Sequence, residues 1–301
     1  MGVYFELNEN KNTVLALGSF DGVHFAHQTL IKKTVELAQK NGIKSALITF
    51  LDSPFYILTG KNPSYITLLD DKINLIQNLG VDDIYVLDFN KYKLMEADDY
   101  IHNVLIEHFH PKFIVTGFNH RFGANKKGDS KLLSSFNHDF NYVEINPIYK
   151  NDILISSTNI KKFISDGEIE LANKMLNRNF SIKGTVIKGQ EIARTLGYRT
   201  ANIILDNKLI KPKYGVYFGY SHYKNTKYPS LINFGIRPSV DKNLVETLEV
   251  HLLNFNKNLY GEELKVEFET FRRGEIKFSN IEELKNQINS DYLALLDFIK
   301  E

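Results

Sequence analysis

The first half of the chain alternates short apolar runs with segments whose apolar residues recur at helical spacing. The apolar runs predict buried strands, because polar residues do not alternate with the apolar ones. They cover residues 14–17, 45–50, 83–89, 112–116 and 142–148. The helical segments lie between and after them, at residues 27–40, 70–79, 97–109 and 168–176. This alternation is typical of a doubly wound α/β sheet.

After residue 182 the pattern changes to short strands separated by turn residues, at spacings that suit a small antiparallel β-barrel. The candidate strands cover residues 183–187, 201–205, 216–220, 229–233, 248–255 and 264–271. A closing helix is indicated by Ser279 and Glu282, which have the spacing of a capping box. Its apolar face, expected to lie on the barrel, consists of Ile281, Leu284, Ile288, Leu295 and Ile299.

Length and composition narrow the classes of protein. At 301 residues the chain suits two domains, and we place the boundary between residues 182 and 183. The net charge of +1 favours small-molecule substrates over nucleic acid or an acidic membrane surface. The chain has no cysteine, no basic signal-like start and no apolar run of membrane-spanning length, which predicts a cytoplasmic protein. Weak self-association to a homo-oligomer is left open.

The first strand stops at Gly18, and a helix begins near His27. Asp21 and His24 lie between them, where the unpaired backbone N–H groups of a helix start favour anions. This arrangement predicts a phosphate site, although it is neither a Walker loop nor a G-x-G-x-x-G turn. The alternative is an ordinary strand–glycine–helix junction in which both histidines only satisfy local hydrogen bonds.

Residues 18–28, GSFDGVHFAHQ, resemble the H-x-G-H signature of the nucleotidyltransferase superfamily, in the form found in prokaryotic bifunctional riboflavin kinase/FAD synthetases. Ala26 stands where that family has glycine. The resemblance implies a nucleotidyltransferase-type fold for residues 1–182 and catalytic roles for His24 and His27. It also implies that ATP and its phosphates are bound by Gly18, Phe20, Asp21 and Gly22.

Two further stretches of the first half resemble motifs of the same family. Residues 117–129 resemble its G-x-(D/N)-F-R-F-G-x-x-R-x-G loop, with departures at His120 and Lys126. This implies flavin contacts by Asn119, Arg121 and Phe122. Residues 155–161 resemble I-S-S-T-x-I-R, although hydroxyls there could simply cap a helix. The resemblance implies that the triphosphate is bound by Ser156, Thr158 and Lys161. Ser53 stands where relatives have histidine.

The second half carries the longest match. Residues 184–202 resemble the flavokinase signature G-x-V-x-x-G-x-x-x-G-R-x-L-G-(F/Y)-P-T-A-N. The resemblance implies nucleotide or flavin contacts by Gly189, Arg194, Gly197, Thr200, Asn202 and Arg273. Thr200 and Asn202 offer neutral oxygens for a Mg²⁺ ion already bound by nucleotide phosphates. Glu249, which we expect to alternate inward on its strand, is the candidate base for a primary alcohol. Taken singly, Asn202 could also be a turn former, Glu249 half of a surface ion pair, and Arg273 a solvated charge.

The resemblance covers nearly the whole chain and implies a two-domain enzyme with Mg²⁺ and the substrates ATP, FMN and riboflavin. It implies that the first half transfers AMP to FMN and that the barrel phosphorylates riboflavin. Ala193 and Arg199 replace a glycine and a proline of the family signature, so we expect the kinase activity to be the weaker one. The alternatives are a monofunctional FMN adenylyltransferase with an inactive barrel and a non-catalytic flavin-binding regulator.

Overall fold

The computed structural model of the chain describes residues 2–8, 12–188, 199–238 and 244–300. Contacts divide it into two compact units, Met1–Ser157 and Thr158–Glu301. In the part described, no helix is long and apolar enough to cross a membrane.

Six parallel strands form the sheet of the first unit. They are β1 (Gly2–Tyr4), β2 (Thr13–Leu17), β3 (Lys44–Phe50), β4 (Asp83–Leu87), β5 (Pro111–Gly117) and β6 (Asn141–Ile145). Their order across the sheet is β1-β4-β3-β2-β5-β6. The predicted parallel α/β sheet is therefore confirmed. β4 is two residues shorter than expected, because Asp88 caps a 3₁₀ turn that begins at Phe89.

Helices cover both faces of this sheet. They are α1 (Phe25–Asn41), α2 (Pro54–Thr59), α3 (Leu69–Gln77), α4 (Ala97–Tyr100), the π-helical segment Ile101–Ile106, α5 (Glu107–Phe109) and α6 (Ser130–Ser135). Ile31 of α1 and Ile76 of α3 pack on the face that contains Val14. Phe109 and Leu133 pack on the opposite face, with Leu15. Because both faces are covered, the central strands are apolar at consecutive positions rather than at alternate ones.

The rest of the first unit is a two-stranded hairpin of β7 (Tyr149–Lys150) and β8 (Ile153–Leu154), followed by α7 (Ser157–Asp166), which runs into the second unit. The second unit continues with α8 (Ile169–Leu176), β9 (Phe180–Ile187), β10 (Ala201–Ile203), β11 (Gly215–Tyr223), β12 (Thr226–Pro238), β13 (Leu244–Leu252), β14 (Glu263–Gly274) and α9 (Ile281–Phe298). Its strands form a closed antiparallel barrel in the order β10-β13-β12-β11-β14-β9, so the predicted barrel is confirmed.

The final helix differs from its prediction in its cap and in its apolar face. Asn280 is the N-cap, and its side-chain oxygen accepts a hydrogen bond from the Glu283 backbone at 2.9 Å. The Glu283 carboxylate accepts from Ser279 N, the residue before the cap, and from the Asn280 side chain, so the cap pair is Asn280–Glu283, one residue later than expected. Leu295 is fully buried, whereas Ile281 in the first turn is 68% exposed.

The segment before the barrel packs on it. The amide of Asn173 in α8 donates to Phe268 O at 2.8 Å, and its oxygen accepts from Phe180 N at 2.6 Å. Ile169 and Leu176 of the same helix are fully buried. The boundary placed between residues 182 and 183 would cut through β9, which begins at Phe180. It stays a prediction.

We predict that a fragment of residues 158–301 unfolds at a higher urea concentration than a fragment of residues 183–301. The longer fragment keeps the buried side chains of α8 and the two hydrogen bonds of Asn173. Circular dichroism during urea titration measures both midpoints. In the longer fragment, Asn173→Ala should lower the midpoint, and Lys174→Ala, an exposed neighbour, serves as the control. Equal midpoints for the two fragments would contradict this role of α8.

Candidate active sites

A tight loop, residues 18–24 and here called the phosphate loop, joins β2 to α1. Phe20, Gly22 and Val23 have positive φ angles of 52°, 83° and 38°. A Cβ atom at Gly22 would lie 2.9 Å from Ile66 Cδ1, so only glycine fits without displacing that side chain. The loop is therefore held close to the segment that contains Ile66.

Asp21 anchors the phosphate loop from inside. Its Oδ1 accepts hydrogen bonds from the backbone N–H groups of Ile66, at 2.9 Å, and Thr67, at 3.4 Å. Its backbone carbonyl accepts a hydrogen bond from Ser157 Oγ at 2.8 Å. Asp21 is only 7% exposed, so the structure gives it a supporting role. Direct contact of Asp21 with ATP stays a prediction.

The two histidines of the signature lie against each other at the start of α1. His24 is the N-cap, and its Nδ1 accepts a hydrogen bond from the backbone N–H of His27 at 3.3 Å. The imidazole rings stack with centroids 3.6 Å apart. Because Nδ1 of His24 accepts, the proton of its neutral ring lies on Nε2.

His27 is held in the neutral form. Burial lowers its pKa well below the ordinary value, and the nearby His24 and Lys72 lower the pKa further. Its Nδ1 is buried and has no hydrogen-bond partner among the described residues. A proton on Nδ1 would be an unsatisfied buried donor, so the favoured tautomer carries it on Nε2. Both histidines therefore offer a neutral Nε2–H donor, which suits a phosphate oxygen.

Lys72, on α3, is a site residue that the sequence analysis missed. Its ammonium group donates to Ser19 O at 3.3 Å, to Thr49 Oγ1 at 3.1 Å and to Phe50 O at 3.0 Å. Burial lowers its pKa to about 8, although the Asp21 and Asp52 carboxylates act in the opposite direction. The available signal was its position four residues before the buried Ile76, on the apolar face of a helix.

A cavity of about 590 Å³ opens at the carboxyl ends of the central strands. Gly18, which follows β2, and Phe50, the last residue of β3, line this cavity. Arg121 and Phe122, two of the three predicted flavin residues, line it as well. Asn119 is exposed and is not among the lining residues. Ligands of open α/β sheets bind at this edge, so a cavity here fits a substrate site. Its remaining lining is largely aromatic and aliphatic, as in Tyr92, Tyr100, Phe89, Ile57 and Leu58.

The loop from β5 forms one wall of this cavity. Gly123 has a φ angle of 70°, and a Cβ atom there would lie 2.7 Å from the Ala97 backbone. His120, a departure from the family motif, lines the same wall and stacks on Phe122 with ring centroids 5.7 Å apart. Burial, and then the charge of Arg121, lower the His120 pKa to about 4, so its ring is neutral at physiological pH.

The predicted triphosphate residues lie around the start of α7. Ser156 precedes the helix, and Thr158 and Lys161 lie on its first two turns, within the second unit. The hydroxyl that anchors the phosphate loop belongs to Ser157, which the motif comparison did not single out. The roles of the three predicted residues stay predictions.

The barrel brings two predicted kinase residues together. In the register of β10 with β13, Asn202 lies directly opposite Glu249, and directly opposite residues share one face of a sheet. Asn233 of β12 is the other cross-strand neighbour of Glu249. The expectation that Glu249 alternates inward is wrong, because Leu248 and Val250 are the fully buried residues of β13 and Glu249 is half-buried on the opposite face.

A cavity of about 350 Å³ lies beside this strand pair. Arg199 and Thr200 line it, together with residues 255–260. In the part of the chain that is described, no three histidine or carboxylate side chains are grouped as a metal site. The neutral oxygens of Thr200 and Asn202 are hard donors that suit a Mg²⁺ ion carried by a nucleotide.

The remaining barrel predictions have different outcomes. Gly189, Arg194 and Gly197 lie outside the described residues, as does Ala193. Arg273 is described, and its guanidinium forms a two-pronged ion pair with the carboxylate of Asp291, at 3.0 and 2.6 Å to Oδ2. Asp291 is 1% exposed, so this ion pair joins β14 to α9. A ligand contact of Arg273 stays a prediction.

Comparison with known proteins shows the same division of the chain. A family model described as FAD synthetase matches residues 6–159, and one described as riboflavin kinase matches residues 176–299. Proteins named bifunctional riboflavin kinase/FMN adenylyltransferase are similar over almost the whole chain. The one from Buchnera aphidicola subsp. Schizaphis graminum is 41% identical over 94% of this chain and 92% of its own. The one from Escherichia coli K12 is 32% identical, over 95% and 92%.

The fold also has an experimental counterpart. A crystal structure described as a macrolide-efflux protein from Streptococcus pneumoniae has a TM-score of 0.89 and is 28% identical. The match covers 98% of each chain.

We predict that Arg273→Ala destabilises the barrel by about 3 kcal/mol, because it leaves the buried Asp291 carboxylate without its cation. Urea denaturation of the full chain measures the change. Arg272→Ala, at the exposed neighbouring position, is the control and should change stability little. If Arg273→Ala unfolds at the same urea concentration as the parent chain, the ion pair does not stabilise the barrel.

Proposed function

The chain belongs to the bifunctional riboflavin kinase/FMN adenylyltransferase family, and from this premise we propose that each unit carries one of the two transfer reactions. The chain is a transferase that phosphorylates riboflavin to FMN and transfers AMP from ATP to FMN, which forms FAD. The observation that supports the assignment of AMP transfer to the first unit is the pair of neutral histidines on the phosphate loop, next to a largely apolar cavity.

AMP transfer needs positioning and charge stabilisation more than proton transfer. A phosphate oxygen of FMN attacks the α-phosphorus of ATP in line, the bond from the α-phosphorus to the bridging oxygen breaks, and pyrophosphate leaves. The Nε2–H groups of His24 and His27 donate to phosphate oxygens as negative charge redistributes. Ser156, on the same unit as the histidines, holds the triphosphate, and the roles of Thr158 and Lys161 stay predictions. No covalent intermediate on the protein is required.

The flavin ring of FMN occupies the cavity of about 590 Å³ at the end of the sheet. That volume lies in the range of small-molecule sites, and its mixture of aromatic walls and a cationic rim suits a flat apolar ring that carries a phosphate. Phe122 and Phe50 form the apolar wall, and Arg121 lies at the rim. Asn119, which is exposed, needs a local rearrangement to touch the ring.

Phosphoryl transfer belongs to the barrel. Glu249 accepts the proton of the ribityl hydroxyl as that oxygen attacks the γ-phosphorus of ATP and ADP leaves. Thr200 and Asn202 would hold a Mg²⁺ ion bound with ATP through their neutral oxygens, and such an ion would supply positive charge to the phosphates. The cross-strand pair of Asn202 and Glu249 supports this assignment, because the two side chains lie on one face of adjacent strands.

Two alternatives are less well supported. A monofunctional adenylyltransferase and a non-catalytic flavin-binding regulator would each lack the kinase reaction, whereas the kinase family matches residues 176–299 and the relatives carry both activities in their names. Our expectation that the kinase is the weaker activity rests on Ala193 and Arg199 and stays a prediction. The cytoplasmic location, the lack of a nucleic-acid partner and weak self-association also stay proposals.

We predict that His27→Ala lowers the rate of FAD formation from FMN and ATP by on the order of a hundredfold or more, because it removes a donor to the reacting phosphates. Riboflavin phosphorylation in the same preparation should be unchanged. Chromatography of the flavins measures both reactions, and His138→Ala, at an exposed position, is the control. Unchanged FAD formation with an unchanged melting temperature would remove His27 from the mechanism.

We predict the converse for Glu249→Gln. Loss of the carboxylate removes the base for the ribityl hydroxyl, so FMN formation from riboflavin should fall by about a hundredfold or more. FAD formation from supplied FMN should continue at the parent rate. Parent-like FMN formation in this variant would show that another group accepts the proton.

A further inference from the structure

One hydrogen bond holds the chain where it enters the proposed kinase site. The Nδ1 atom of His251 lies 2.7 Å from the backbone oxygen of Arg199. A carbonyl oxygen can only accept, so Nδ1 of His251 carries the proton and donates it. Arg199 directly precedes Thr200, whose hydroxyl is one of the two proposed Mg²⁺ ligands.

The strand register places His251 on the active face of β13. Ala201 pairs with Val250 and Asn202 pairs with Glu249, so continuing the antiparallel register by one residue sets Thr200 opposite His251. Side chains two residues apart on a strand share a face, which puts His251 on the same face as Glu249. Glu249 and His251 on β13 thus face Asn202 on β10 and Thr200, which lies just before β10.

The hydrogen bond therefore joins β13, which carries Glu249, to the segment that carries Thr200 and Asn202. Arg199 makes a second contact, from its Nη1 to Asn256 O at 3.3 Å, which links the same residue to the loop that lines the cavity of about 350 Å³. The guanidinium contact uses the Arg199 side chain, whereas the His251 contact uses its backbone. Of these two contacts, the one with His251 directly restrains the path of the main chain into Thr200.

We propose that His251 is a positioning residue for riboflavin phosphorylation: its Nδ1–H fixes the Arg199 carbonyl and so aims Thr200 and Asn202 at the nucleotide phosphates across from Glu249. This role rests on the proposed kinase function of the barrel. His251 touches neither substrate nor the reacting atoms in this role. Its contribution is the geometry of its neighbours, to which transfer rates are sensitive at the scale of about 1 Å.

The test compares three substitutions. His251→Ala should lower kcat for FMN formation by on the order of a hundredfold while KM for riboflavin stays unchanged. His251→Asn should restore most of the rate, because its amide N–H lies near the position of Nδ1. His251→Gln extends the amide by one methylene, to about the position of Nε2, and should stay close to the alanine variant.

Two controls separate this role from general stability. AMP transfer to supplied FMN by the same preparations should be unchanged, and His222→Ala, at a barrel histidine that contacts Glu267 at 3.0 Å, should leave FMN formation unchanged. Equal rescue by asparagine and glutamine, or a parent-like rate in the alanine variant, would overturn the proposal. If the alanine variant does not fold, the comparison of asparagine with glutamine decides.

An activity-independent measurement distinguishes failure of this inference from failure of the proposed kinase function. Amide hydrogen exchange at Thr200 and Asn202 in the full chain should accelerate in His251→Ala and His251→Gln and return to the parent rate in His251→Asn. If the parent forms no FMN but this exchange pattern holds, the proposed kinase function fails and the positioning contact stands. Unchanged exchange in all three variants would overturn the contact itself.

Discussion

The carboxyl edge of the parallel sheet depends on one buried ammonium group. Lys72 reaches from α3 to the ends of β2 and β3, where Ser19, Thr49 and Phe50 accept its three protons. A buried charge costs several kcal/mol unless it is fully hydrogen-bonded, so the loop that follows β2 and the cavity wall that ends β3 are positioned together. Neither can shift alone without leaving a proton of this cation unsatisfied.

In the barrel, the register of the strands fixes the relative positions of residues that are distant in sequence. Closure pairs every one of its strands on both sides, so a slip of one residue would have to propagate around the whole sheet. Such a slip would separate Asn202 from Glu249 and turn Leu248 out of the interior. The positions of Asn202 and Glu249 are thus determined by the same apolar side chains that stabilise the barrel.

Much of this architecture could be predicted from the sequence, because the apolar period differs between its two halves and the motifs fall at strand ends. What could not be predicted involves contacts between distant segments. The sequence shows Lys72 as an ordinary helix cation, because its contacts with Ser19 and Phe50 form only in the fold. The face on which Glu249 lies depends on which alternate residues fill the barrel, and a motif does not specify that. Nothing in the sequence pairs Arg273 with Asp291, eighteen residues later, and only the fold brings the two side chains together.

The barrel and the six-stranded parallel sheet differ in whether they have edge strands. The barrel has none, whereas the parallel sheet ends at β1 and β6. An unpaired strand edge is a template for adding a strand from another molecule, which begins aggregation. β1 is three residues long, and β6 exposes Asn141 and Glu144, so each edge offers a short or charged template. Each edge of the parallel sheet is thus a poor template for a strand from another molecule.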